Sequence, residues 1–243
     1  MKLLFLEEVE STNKFAKELI NELDDKTVIF ANIQTAGRGR LGRTWVCSGK
    51  NNIYASIILK PSFEMKELYS NLTQYLCVIL AQTIEEYGLE PKIKWPNDIQ
   101  VNGKKISGIL AEAVIDGGIL RGLILGFGVN LNVEKEKLLE INQPATALNI
   151  ETGNFIDRNI FLEKLLDKFC LMYDKFIEEG FLLIKNDYEK RAGFLNKEIS
   201  VRAFDKTITG LALGLTDAGA LVLKDKDNNE HILLIGDILW MKH

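Results

Sequence analysis

The sequence predicts an α+β protein, a mixed β-sheet with helices packed on it, followed by a small β-barrel or sandwich. Three observations carry this expectation. Runs rich in β-branched residues, such as Thr27–Gln34 and Ile53–Leu59, read as strands. Two long segments, Glu67–Tyr87 and Asp157–Glu179, repeat apolar residues at helical spacing. After Gly193 the texture changes to five short strand-like segments in about 50 residues. A boundary near Phe194 divides the chain into a larger domain, 1–193, and a smaller one, 194–243.

Taken in order, Lys2–Leu6 reads as a short strand and Ser11–Leu23 as a helix. Thr27–Gln34 returns to strand. Thr35–Gly49 holds four glycines and three arginines with no apolar period, so it is a loop. Ile53–Leu59 is a strand, and Glu67–Tyr87 is an amphipathic helix carrying Leu68, Leu72, Leu76, Ile79, Leu80 and Ile84, closed by Gly88. Ile93–Val101 is a strand interrupted by Pro96. Asn102-Gly103 turns it into Ile106–Ile115, and Gly117-Gly118 turns that into Leu120–Leu131. Asp157–Glu179 and Phe181–Ala192 are helical, with Ile160, Leu165, Phe169, Tyr173 and Phe176 as the core stripe. The last five strands are Ile199–Ala203, Thr207–Leu215, Ala220–Leu223, His231–Ile235 and Ile238–Met241.

Composition narrows the chemistry. The chain has 243 residues, 47% apolar and 26% charged, enough to bury a substantial core. Its formal net charge of −4 argues against a dedicated nucleic-acid binder. Cys47, Cys77 and Cys170 form no CxxC pair, as expected of a reduced intracellular protein. The apolar run at Met1–Leu6 stops at Glu7, Glu8 and Glu10, short of a signal peptide, and no stretch reaches the roughly 20 apolar residues of a membrane span. A cytoplasmic protein with no membrane partner is expected. The only histidines, His231 and His243, allow no HExxH site and no Ser-His-Asp set. Carboxylates, lysines, arginines and backbone groups must do the work.

Gly37, Gly39 and Gly42 have the GxGxxG spacing of dinucleotide-binding loops, but Arg43-Thr44-Trp45-Val46 does not open an apolar helix, so that reading fails. What remains is a loop with Arg38, Arg40 and Arg43 and no acid between Thr35 and Asn52. Guanidinium groups fork onto phosphate or carboxylate oxygens, and glycine lets amides approach an anion. Trp45 is placed to cover a ring or close over a ligand, or to pack in the core. Downstream, Lys94-Trp95-Pro96-Asn97-Asp98 sets a lysine, an amide and a carboxylate on a strand, with Trp95 expected in the core. The Asn102-Gly103 turn folds Lys104 and Lys105 back beside Asn97 and Asp98, and alternation lets one lysine face inward. Asp98 could cap the turn, hold a magnesium ion or take a proton; spacing leaves these open.

Ser11-Thr12-Asn13, Gly37-Arg38-Gly39-Arg40-Leu41-Gly42-Arg43, Lys94-Trp95-Pro96-Asn97-Asp98, Lys105 with Gly108-Ile109-Leu110, and Gly126-Phe127-Gly128-Val129-Asn130-Leu131 occur in the order seen in biotin protein ligases. From about Ser11 to its end the chain resembles that family. The resemblance implies a class II aminoacyl-tRNA synthetase-like, biotin–lipoate ligase fold and an SH3-like C-terminal module. It implies an ATP-dependent enzyme that makes biotinyl-5′-AMP and passes the biotinyl group to a lysine of a biotin carboxyl carrier protein, with magnesium as cofactor. Ser11, Thr12, Asn13, Gln34, Gly37, Arg38, Gly39, Arg40, Lys105, Gly108, Gly126 and Gly128 would bind biotin, the first helix turn and Gln34 meeting its ureido ring. Gly126 and Gly128 would let its tail pass close to the backbone. Arg40, Arg43, Trp45, Asn97, Lys105 and Asn130 would bind ATP, Asn130 meeting adenine. Lys105, Arg40 and Asp98 would be catalytic, with magnesium held through the phosphates and Asp98 a candidate ligand.

The chemistry needs such groups, because a carboxylate attacking an α-phosphate brings two anions together. Removing one well-placed donor typically costs ~3 kcal/mol, and a closing loop protects the mixed anhydride from water. Ten residues precede Ser11, too few for a DNA-binding domain, so no repressor function is expected. A lipoate or octanoate ligase is the nearest rival and a non-catalytic biotin-binding module the next. Strand pairing into a homodimer follows from the resemblance alone.

Overall fold

The computed structural model describes residues 1–60 and 68–239, the side chains of 68–70 excepted. The expected helix start at Glu67, the Leu68 side chain, the strand end at Met241 and His243 lie outside that range.

Seven strands form one mixed sheet: β1 (Lys2–Val9), β2 (Thr27–Gln34), β3 (Ile53–Leu59), β4 (Lys92–Lys94), β5 (Asp98–Val101), β6 (Lys104–Asp116) and β7 (Ile119–Val129). Their order is β1-β2-β3-β7-β6-β5-β4. β1 and β2 are parallel, and every other neighbour is antiparallel. The parallel pair needs a crossover, which α1 (Thr12–Glu18) supplies. That helix is shorter than the expected Ser11–Leu23. The chain must return to Thr27, and Leu19 leaves helical geometry for a turn closed by hydrogen bonds from Glu22 and Leu23 to its carbonyl. Ile20 is still buried and Leu23 still packs on the sheet, so the apolar spacing reports packing rather than helix length.

α2 (Leu68–Glu85) and α5 (Arg158–Glu179) cover the face opposite α1. Asp157 caps α5, its carboxylate accepting from the amides of Asn159 and Ile160. The buried stripe of α5 runs Phe161, Leu162, Leu165, Phe169, Tyr173 and Phe176. Ile160 does not belong to it and is half-exposed, because one helical residue turns the side chain about 100° from the neighbouring Phe161. Tyr75 of α2 stacks on Phe176 at 4.5 Å and meets Phe169 edge-on at 5.1 Å. Two short helices, α3 (Lys135–Leu138) and α4 (Leu148–Thr152), were not announced by any periodicity. The expected helix Phe181–Ala192 divides into a 3₁₀ turn at Gly180–Leu183 and α6 (Lys185–Arg191).

Pro96 resolves into a turn rather than an interruption. Lys94 pairs with Asp98, so Trp95-Pro96-Asn97 connects β4 to β5 across a cis Trp95–Pro96 bond, and Trp95 is buried. The next hairpin turns at Asn102 (φ 50°) and Gly103 (φ 74°), the left-handed pair that a two-residue loop requires.

The C-terminal strands are β8 (Glu198–Ala203), β9 (Lys206–Leu215), β10 (Leu221–Lys224), β11 (Glu230–Leu233) and β12 (Asp237–Leu239). They form a separate antiparallel sheet in the order β11-β10-β9-β8-β12. Its β9–β10 turn seats on the larger sheet's helices: Gln74 donates to the Gly219 carbonyl at 2.9 Å, and the Leu215 amide donates to Glu189 at 3.0 Å. Cys47, Cys77 and Cys170 are all free.

Candidate active site

Parallel pairing of β1 with β2 and the antiparallel run β3-β7-β6-β5 bring one edge of each motif to a single open cavity of about 750 Å³. Its lining includes Ser11, Thr12, Asn13, Gln34, Arg38, Gly39, Arg40, Arg43, Trp45, Asn97, Asp98, Lys105, Gly108, Gly126 and Gly128. Fifteen of the expected residues thus meet although they span more than a hundred positions. Gly37 and Asn130 do not line it. Gly37 lies beneath the loop, where a Cβ would come within 2.6 Å of the Trp45 carbonyl. Asn130 faces a smaller neighbouring cavity beside Thr44, Trp45 and Gln143, and its amide donates to the Thr146 carbonyl at 3.0 Å.

One end of the cavity is polar and uncharged. Ser11 stands at the N-cap of α1 in extended geometry, yet its hydroxyl makes no capping bond. The Thr12 amide donates to Gln34 Oε1 at 2.8 Å. Asn13 lies flat over β7, which is why position 126 is glycine: a Cβ there would fall 2.0 Å from Asn13 Oδ1. Beneath it, Ser56 and Glu112 bond to these side chains, and sequence reading passed over both.

The other end is dominated by cations. The arginine loop folds back on itself through an Arg38–Thr44 bridge, with Gly39 and Trp45 amides donating to the Arg43 and Gly37 carbonyls. Arg40 donates to Asn97 Oδ1 at 3.0 Å and to the Gly236 carbonyl at 3.2 Å, and lies 3.2 Å from Asp237. Arg43 donates to Asp237 at 2.6 Å. Lys105 Nζ stands 2.8 Å from Asp98 Oδ1, a close charge contact in which that oxygen has no aligned hydrogen bond. Lys104 points to solvent, so alternation selects Lys105 as expected. Lys94 joins the group. Burial holds its pKa below the usual lysine value, against the opposing pull of Asp98. Arg40, Arg43, Lys94 and Lys105 therefore surround two carboxylates, Asp98 and Asp237, leaving an excess of positive charge suited to a polyanion.

Between the two ends lies Trp45. Its ring rests on backbone: a Cβ at Gly128 would sit 2.3 Å from it, and one at Gly108 would sit 3.0 Å away. Lys105 Nζ stands 5.5 Å from the ring centroid, and the indole N–H is buried without a partner. Asp237 had no sequence signal at all. It comes from the C-terminal sheet, almost two hundred residues from the loop that it holds.

Residues 5–130 match the biotin/lipoate A/B protein ligase family, and residues 194–239 match the biotin protein ligase C-terminal domain. The chain is 35% identical to the bifunctional ligase/repressor BirA of Bacillus spizizenii over 95% of its own length and 71% of that protein's. It is 30% identical to the biotin–[acetyl-CoA-carboxylase] ligase of Paracoccus denitrificans, covering 90% of this chain and 92% of that one. The fold is similar to that of the biotin protein ligase from Aquifex aeolicus in complex with biotin and ATP. The TM-score is 0.84 at 32% identity, over 98% of this chain and 97% of the other.

Proposed function

The chain belongs to the biotin/lipoate A/B protein ligase family, and on that premise we propose how its residues divide the work of an ATP-dependent biotin–protein ligase. The observation that carries the reading is the polarity of the cavity. A neutral polar end holds Ser11, Thr12, Asn13 and Gln34, and a cationic end holds Arg40, Arg43 and Lys105. Biotin has the same polarity, a neutral cyclic urea joined by an apolar chain to a carboxylate.

In this reading the ureido ring takes the neutral end. The carboxylate lies beside Lys105 and Arg40, which offset its repulsion with the α-phosphate. Carboxylate oxygen attacks the α-phosphorus, the bond to the β-phosphate oxygen breaks, and pyrophosphate leaves toward Arg43. The amine of a carrier lysine then attacks the acyl carbonyl, loses a proton and releases AMP. Trp45 covers the ligand between the two ends and excludes water from the anhydride. The carrier is a biotin carboxyl carrier domain; the Paracoccus relative is named for joining biotin to acetyl-CoA carboxylase. Among the described residues no group of three or more His, Cys, Asp or Glu side chains stands ready for a metal ion. Magnesium would therefore arrive on the phosphates, with Asp98 as its one protein carboxylate, and would supply charge neutralisation there. Among the described residues β1 pairs only with β2, and its outer edge supports a second copy as partner, tested by sedimentation.

A lipoate ligase from the same family would not need four uncharged hydrogen-bonding side chains at the ring end. The experiment is direct. Incubated with magnesium-ATP, biotin and a carrier domain, the protein should raise the carrier's intact mass by one biotinyl group, and only when ATP is present. A gain with lipoate and not with biotin would overturn the assignment.

A further inference from the structure

Ser56 and Glu112 do not line the cavity, yet both bond to residues that do. We propose that they are positioning residues which fix the direction of the hydrogen bonds that Asn13 and Thr12 offer at the ring end, and so set its selectivity for a cyclic urea. The inference rests on the biotin reading above.

The argument is one of proton counting. Asn13 Nδ2 donates to Glu112 Oε2 at 2.8 Å and to the Leu110 carbonyl at 3.2 Å. A carboxylate and a carbonyl can only accept, so the Asn13 amide has one orientation. Its Oδ1 then faces Ser56 Oγ at 2.6 Å. An amide oxygen cannot donate, and the single proton of Ser56 must therefore point to Asn13. Ser56 is fully buried and also lies 2.7 Å from Thr12 Oγ1, so it accepts there and Thr12 donates. The Thr12 hydroxyl also lies 3.1 Å from Gln34 Oε1, which has a second lone pair beside the bond from the Thr12 amide, so whether it donates to Ser56 or to Gln34 its proton stays inside the protein. With its proton turned inward, Thr12 offers only lone pairs to the cavity.

The same logic orients Gln34. Its Oε1 accepts from the Thr12 amide, and no acceptor among the described residues reaches its Nε2. The ring end thus presents acceptors at Thr12 and Asn13 and a donor at Gln34, the complement of two urea N–H groups and one carbonyl. Glu112 anchors this order because a carboxylate cannot donate. Without it, only the longer bond to the Leu110 carbonyl holds the Asn13 amide in this orientation, and each flip of that amide lets Ser56 turn its proton to Thr12 and sets donors against urea N–H.

The test uses Glu112→Leu, Glu112→Gln and Ser56→Ala in adenylate formation followed by pyrophosphate exchange. Glu112→Leu and Ser56→Ala should each raise KM for biotin roughly tenfold, with kcat and KM for ATP within about twofold of the parent. Glu112→Gln, whose amide oxygen can still accept from Asn13, should restore KM for biotin. The inference is overturned if Glu112→Leu leaves KM for biotin unchanged, if KM for ATP rises in parallel, or if Gln fails to rescue. Glu112 is half-exposed on β6, so its variants keep the question answerable should Ser56→Ala fail to fold. A parent protein that adenylates no biotin would overturn the ligase reading itself, and this inference with it.

Discussion

Asp237, on the last described strand, holds Arg43 of the glycine–arginine loop at 2.6 Å. Arg40 lies 3.2 Å from the other oxygen of the same carboxylate. The charged end of the cavity is therefore assembled from two separate sheets.

Replacing Asp237 with alanine should free the loop. Each charged hydrogen bond of this kind contributes about 1.5–3 kcal/mol, and the half-exposed Arg43 side chain argues for the lower end. Urea unfolding should show a lower midpoint, and trypsin should cut after Arg40 or Arg43 several times faster than in the parent. Unchanged cleavage would mean that the loop is held by its own backbone bonds.

Lys105→Ala should slow adenylate formation on the order of a hundredfold while leaving biotin binding within a few-fold. Single-turnover kinetics separates the two. A rise in Kd for biotin alone, with normal turnover, would place Lys105 in binding and not in the chemical step.

Gly128→Ala puts a methyl group where the Trp45 ring now rests, 2.3 Å from the nearest carbon. Backbone cannot yield there, so the indole must swing out. Its emission should shift to the red, and KM for biotin should rise on the order of tenfold as the cover is lost. An unchanged spectrum would show that the ring does not lie on Gly128.

In the β10–β11 turn Asp225 should keep its charge at pH values where an ordinary aspartate is protonated. His231 lies 2.7 Å from Asp225, and the Asn229 and Asp227 amides donate to the same carboxylate. The His231 hydrogen bond first, then the Asn229 amide, hold the Asp225 pKa well below the usual carboxylate range. A lowered folded pKa stabilises the folded state above the unfolded value, and that contribution is lost as pH falls through the folded one. NMR titration of the Asp225 carboxyl carbon should show no midpoint near pH 4, and His231→Ala should move it up toward the ordinary value.

Much of this was legible in the sequence because it is local. The bounds of β2 and β3, the turn at Asn102-Gly103 and the choice of Lys105 over Lys104 follow from β-branched runs, left-handed turn residues and strand alternation. The motif residues around Arg40 and Lys105 were legible for a different reason, their order along the chain. What stayed hidden depends on contacts between distant segments. Ser56 looks like any small residue in an apolar strand, and Glu112 like a solvated strand carboxylate, until α1 is laid across them. Asp237 looks like a turn residue until its sheet meets the loop. Helix length at α1 is not legible because burial of Ile20 and Leu23 is satisfied by a turn as well as by a helix.

That Asp237 lies at the far end of the chain has a consequence for synthesis and turnover. A nascent chain can complete all seven strands of the larger sheet before the carboxylate that tethers Arg40 and Arg43 has been translated. A nonsense codon or a proteolytic clip upstream of β12 would leave the neutral end of the cavity built and the cationic end unfastened.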